Sequence, residues 1–197
     1  NYCYVIYNAN GGTVSPSSQG YDANLPVAPN TEVSYTGYTF VGWSPSLPST
    51  VPSCDMIYTA QWKINQYTVT FDSAGGTSVS PITQDYATAV APPENPTREG
   101  YTFMGWTPSV PSTMSASDTT CVAQWKINQY TISFETGCGI SVLPITQDYA
   151  TAIAALENPT RTGYTFMGWS PSVPATMPAN DTTCVAQWKV NQYQVMF

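Results

Sequence analysis

Gly100-Tyr101-Thr102-Phe103-Met104-Gly105-Trp106 decides how this chain is read, because the same seven residues return from Gly163 to Trp169. The step is 63 residues, and Gly42-Trp43 stands one step earlier again. Working outward, Gln61-Trp62-Lys63 recurs as Gln124-Trp125-Lys126 and Gln187-Trp188-Lys189, and the stretch from Pro81 to Ala89 reappears unchanged from Pro144 to Ala152. Self-similarity at a fixed period is the mark of tandem modules. It divides the 197 residues into a divergent copy at 1–64, copies at 65–127 and 128–190, and the start of a further one at 191–197. The first copy lacks one residue after Gly11-Gly12 and has two more between Asn30 and Gly37. The chain begins at Asn1, inside a strand pattern and without a signal segment, and is read as a piece of a longer protein.

Within each copy the pattern is β. Tyr67, Val69 and Phe71 alternate with polar residues, as Tyr130, Ile132 and Phe134 do one step on, so each set lines one face of a strand. Gly75-Gly76 supplies a turn where positive φ is cheap. Further strands are expected at Val79 to Tyr86, Tyr101 to Trp106 and Thr120 to Trp125, the last with Cys121, Ala123 and Trp125 on one face. The Pro-rich passage Ala91 to Pro96 excludes a regular helix and leaves room for at most a short helical turn. A unit this small sits near the size at which one core is marginal. Its aromatics are therefore assigned to the core, which in the second copy comprises Tyr67, Val69, Phe71, Phe103, Trp106, Ala123 and Trp125.

Composition removes several function classes. Only 9% of residues are charged, with five Lys and Arg and a net charge of −7. No basic stripe can be assembled to displace counterions from a nucleic acid or to meet an anionic membrane. No apolar run reaches the roughly 18 residues that cross a bilayer, so direct membrane insertion is not expected. There is no histidine, which removes the commonest general base and every Ser-His or Cys-His pair. Neither a zinc spacing nor an Asp-rich calcium loop is present, so no cofactor or metal is expected. Lys63, Lys126 and Lys189 read as solvated strand-end residues with their stems along the Trp.

The order of these blocks resembles the internalin-type B-repeat, or Listeria–Bacteroides repeat: a Tyr-x-Val-x-Phe strand, a Gly-Gly turn, Gly-Tyr-Thr-Phe-x-Gly-Trp and a closing x-Ala-Gln-Trp strand. Cys138 stands where the first turn Gly is expected. The resemblance implies a ubiquitin-like β-grasp, repeated as beads on a string in large secreted or wall-attached proteins, and it carries no catalytic or metal residues. It further implies that the first and last strands of each copy run parallel. On that basis the starts of the strands carrying Cys3 and Cys54 are adjacent, which allows a disulfide between them, whereas Cys138 and Cys184 would lie at opposite ends of their pair. Tyr58 takes the place of Cys121 and Cys184 in the first copy, so the latter two read as packed thiols. The cysteines number five, so at least one is free or pairs elsewhere.

These readings lead to a non-enzymatic spacer or stalk in an extracellular, cell-surface, adhesin-like protein, whose first partners are its own neighbouring repeats. The alternatives are a glycan- or protein-binding module presenting Tyr101 or Trp106, and a filament subunit that pairs through an edge such as Gln192 to Phe197. Asn180-Asp181-Thr182 is a sequon for N-glycosylation in a eukaryotic secretory host. Parallel end strands and short connections should string the copies out. Small-angle scattering of the chain should therefore give an elongated particle, and a globular one would count against the reading.

Overall fold

The computed structural model describes residues 2–22, 32–50, 54–137 and 139–194, which carry strands and turns and, among the described residues, no helix. In chain order, β1 (Tyr2–Asn8), β2 (Thr13–Ser15), β3 (Ser18–Asp22), β4 (Glu32–Ser34), β5 (Tyr38–Ser44) and β6 (Met56–Ile64) come first. Of these, β3-β1-β6-β5 form one sheet in that order, and β2 pairs with β4 beside it. Next come β7 (Gln66–Asp72), β8 (Ile82–Asp85), β9 (Tyr101–Thr107) and β10 (Thr119–Ile127), in the order β8-β7-β10-β9. Last are β11 (Gln129–Glu135), β12 (Ile145–Asp148), β13 (Tyr164–Ser170) and β14 (Thr182–Val190), in the order β12-β11-β14-β13. The same topology thus appears three times. The central pairs β1/β6, β7/β10 and β11/β14 are parallel, with Val5 beside Met56, Val69 beside Thr119 and Ile132 beside Thr182.

By its contacts the chain forms two compact units. One runs to Asp72 and takes in Val79–Glu94 and Thr107–Val122; the other takes Ser73–Ser78, Asn95–Trp106 and the chain from Ala123 onward. In the first, Val5, Tyr7 and Tyr58 make a core against Val14, Trp43, Leu47 and Met56, while Val69, Phe71, Val90, Met114 and Cys121 are buried as well. In the second, Ile132, Met177 and Cys184 are buried against Tyr130, Phe134, Ile145, Ile153, Trp169 and Val173. Strand alternation accounts for the sheet residues. Met114 and Met177 come instead from the loops before β10 and β14, each held by backbone bonds: Met114 N to Thr88 O and Met177 N to Thr151 O, both at 2.9 Å.

The Gly-Trp pair owes its spacing to a β-bulge. Phe40 lies opposite Trp62 and Gly42 opposite Gln61, so Val41 has no partner, and the same shift falls between Phe166 and Gly168. Residues three apart in a regular strand point to opposite faces. The inserted residue brings Phe40 and Trp43 to one face, where their rings meet edge to face at 5.2 Å, as Phe103 and Trp106 do at 5.3 Å and Phe166 and Trp169 at 5.3 Å. The bulge requires positive φ at Gly42 (+149°), Gly105 (+125°) and Gly168 (+124°), and it turns Val41, Met104 and Met167 outward, each more than 60% exposed.

The second Trp of each repeat locks the turn after the leading strand. Trp62 Nε1 donates to Ala9 O at 2.8 Å, Trp125 to Ser73 O at 2.9 Å and Trp188 to Thr136 O at 2.9 Å. In the first of these turns the indole sits so close that a Cβ on Gly12 would come within 2.7 Å of it.

Two expectations are corrected here. The strand expected at Val79 to Tyr86 is only Ile82–Asp85, because Pro81 has no N–H to continue the ladder with β7. Residues 191–194 form no strand, and 195–197 lie outside the described residues, as does the turn position of Cys138. The Pro-rich passage of the second repeat carries no helix, within the bound of at most a short helical turn. Because Trp125 supports the turn by its N–H and Phe103 by its ring (5.4 Å), Trp125→Ala should cost roughly 3–5 kcal/mol and Trp125→Phe only part of that, measured by urea unfolding of the chain.

Candidate functional site: the joints between repeats

The residues that couple one sheet to the next form the candidate site. Among the described residues no group of His, Cys, Asp and Glu could hold a metal ion. Sequence reading allowed a connector from Lys63 to Gln66. The structure narrows it to Asn65 alone, since β6 ends at Ile64 and β7 begins at Gln66; Asn128 does the same between β10 and β11.

A one-residue connector leaves its peptide groups outside both ladders, so they need other partners. Asn65 N donates to Gly37 O of the sheet before it, and its carbonyl accepts from Tyr86 N of the sheet after it, both at 2.9 Å. Its side chain is used as fully. Thr39 Oγ1 donates to Asn65 Oδ1 at 2.6 Å, and Asn65 Nδ2 donates to Tyr67 OH at 3.4 Å. Gln66 Nε2 donates to Asp85 Oδ1 at 3.0 Å. The Tyr86 ring stands edge-on to Tyr38 (6.2 Å) and Tyr67 (6.5 Å), and a Cβ on Gly37 would run into it.

The second joint repeats this part for part. Asn128 N donates to Gly100 O and Tyr149 N to Asn128 O, both at 2.9 Å, with Thr102 Oγ1 on Asn128 Oδ1 at 2.6 Å and Gln129 on Asp148 at 3.0 Å. Tyr149 lies edge-on to Tyr101 and Tyr130 and leaves no room for a Cβ on Gly100. Loss of hydration raises the Tyr149 phenol above its ordinary value, and the Glu99 carboxylate that accepts its hydrogen bond adds to the effect. At the end of the third sheet Asn191 N still donates to Gly163 O at 2.9 Å, and among the described residues nothing stands within 4 Å of a Cβ on Gly163.

Of the residues assigned to the core, Val69, Phe71 and Ala123 are buried, whereas Tyr67, Phe103, Trp106 and Trp125 are half-buried. Tyr101 is half-buried, with the Arg98 guanidinium 3.9 Å above its ring, as Arg161 stands over Tyr164 at 3.8 Å. Lys63, Lys126 and Lys189 are exposed and border a shallow groove at each joint. Asn180 is exposed, with its Nδ2 3.4 Å from Thr182 Oγ1. Cys3 is buried and Cys54 exposed, and both are free thiols. Sequence reading gave Gly37, Gly100, Tyr86 and Tyr149 no role at a joint; the signal was the unchanged Pro81 to Ala89 block, whose Tyr serves the joint.

Gly100 and Gly163 have nearly equal φ (+76° and +79°), and only Gly100 faces a ring. Gly163→Ala should therefore cost about 1–2 kcal/mol from φ alone. Gly100→Ala should cost at least about 2 kcal/mol more and expose the Asn128 amide to hydrogen exchange.

The family model of the Listeria–Bacteroides repeat domain matches residues 4–51, 67–124 and 130–187. A putative Gly-rich membrane protein and a putative membrane protein of Evansella cellulosilytica are each 30% identical over all of this chain, which spans 26% and 33% of their lengths. Internalin H of Listeria monocytogenes is 28% identical over 95% of the chain, which spans 37% of it. Among solved structures, the Streptococcal High Identity Repeats in Tandem domains 3–4 of a cell surface protein align with 17% identity over 64% of this chain and 98% of that one, at a TM-score of 0.21. Three family matches, at the spacing of the three sheets, place this chain in the Listeria–Bacteroides repeat family.

Proposed function

We propose that this chain is a load-bearing spacer segment of a cell-surface protein, built from repeats at 1–64, 65–127 and 128–190. The observation that carries the reading is the parallel central pair of each sheet, joined to the next by one residue. The chain enters a sheet on one strand of that pair and leaves on the other, at the opposite end. Tension on the chain then slides the two strands along each other and loads their hydrogen bonds together. The strand order, with the second and third strands outside a parallel first and fourth, supports reading each unit as a β-grasp reduced to its sheet. Surface location is supported by the family and by relatives whose names are Internalin H and membrane proteins. The lack of histidine supports a non-enzymatic role.

The second reading, a glycan- or protein-binding module, has one observation in its favour: Val41, Met104 and Met167 repeat an outward apolar side chain on the bulge of each sheet. Against a sugar platform, Tyr101 is taken up by Arg98 and Tyr149. Pulling the chain from its two ends should give separate unfolding events at forces well above those of a hairpin peeled open bond by bond. Low-force unfolding, together with saturable glycan binding that Tyr101→Ala abolishes, would overturn the spacer in favour of the module.

A further inference from the structure

We infer that Cys3 and Cys54 form a reversible disulfide that staples the leading strand of the first repeat to the start of its closing strand. Val5 lies beside Met56 where the parallel pair begins, and the same register carried two residues back, past the start of β6, sets Cys3 opposite Cys54. Cys3 shares its side of β1 with buried Val5 and Tyr7, whereas Cys54, two residues ahead of β6, is exposed. Directly opposed residues on neighbouring strands are about 5 Å apart, within the Cα separation a disulfide spans. Between them, Tyr4 N donates to Asp55 Oδ1 at 2.8 Å, which fastens the two segments.

The other repeats form an internal comparison. The same backbone-to-Asp bond recurs as Thr68 N to Asp118 and Thr131 N to Asp181, both at 2.8 Å. One residue before these pairs stand Tyr67 with Ser117 and Tyr130 with Asn180. Only in the first repeat do both members become cysteine. Tyr67 and Tyr130 are held by the joint behind them, each accepting the Nδ2 of Asn65 or Asn128. Cys3 replaces that tyrosine, so a covalent bond supplies the anchor in its place.

Exposure fixes the order of steps. The Cys54 thiolate, which is open to solvent, attacks a small-molecule disulfide such as oxidised glutathione and expels one glutathione thiolate. Cys3 then loses its proton and attacks the Cys54 sulfur, releasing the second glutathione. Two protein thiols become one disulfide as one glutathione disulfide becomes two thiols. Cys121 and Cys184 are fully buried, and burial raises both thiols, so they take no part.

The bridge rests on register alone; its mechanical consequence rests on the spacer reading. Tension arriving at residue 3 would cross to residue 54 through sulfur and bypass the fold between them.

The test incubates the whole chain in a glutathione buffer, oxidised or reduced, traps thiols by alkylation in denaturant and maps peptides by mass. A Cys3–Cys54 linked peptide is expected only after oxidation, with Cys121 and Cys184 alkylated. Oxidation should raise Tm of the first repeat by on the order of 10 °C, and Cys54→Ser, at an exposed site, should remove the rise without unfolding the chain. In pulling experiments the length released by the first repeat should shorten by about 180 Å, the extended reach of the enclosed residues. Cys54 left as a glutathione adduct, paired with Cys138, or alkylated alongside Cys3 after oxidation would overturn the inference. A mapped bridge in a chain that unfolds at low force would sustain the disulfide and overturn the spacer.

Discussion

The peptide group that joins one sheet to the next is hydrogen-bonded from both sides, and the rest of the architecture follows from that constraint. Asn65 and Asn128 each give their N–H to a glycine carbonyl behind and take an N–H from a tyrosine ahead. With one residue between strands there is no slack to adjust, so neighbouring sheets must meet on fixed terms. Glycine at the carbonyl is set by the tyrosine ring against it, and Asn is set by a side chain that accepts from Thr and donates to Tyr.

Inside each sheet the aromatic residues do work that small size makes necessary. The bulge rotates Phe and Trp onto one face, and the second Trp reaches across to hold the turn, so one cluster ties leading turn, third strand and closing strand together. In the first repeat Tyr35 takes the position of Arg98 and Arg161, stacking on Tyr38 at 4.2 Å where those lie over Tyr101 and Tyr164. Planar stacking survives the change of chemistry because both groups offer a flat face to the same phenol.

Much of this was legible before any coordinates. Period-two alternation marked β7 and β11, and the shared place of Tyr58, Cys121 and Cys184 marked a buried column, now found 0–2% exposed. Two kinds of residue escaped. Met114 and Met177 sit in loops, where no periodicity shows which way a side chain points. The joint residues escaped because their partners lie in the next copy, and a pattern read within one copy has no term for a contact to its neighbour. Phe103 and Trp106 were assigned together to the core although simple alternation opposes it; the bulge that reconciles them is written only in the Gly between.

The division of each joint between two copies has a consequence for heredity. Both described joints are assembled from two halves, a glycine and threonine at the rear of one copy and a tyrosine and aspartate at the front of the next, and the second and third copies carry both halves. Unequal crossing-over that inserts or removes one whole 63-residue unit of the kind at 65–127 or 128–190 returns a chain whose joints are still matched, while a slip by another length leaves a ring without its glycine. Length can therefore vary between descendants in whole units without any new interface having to be invented.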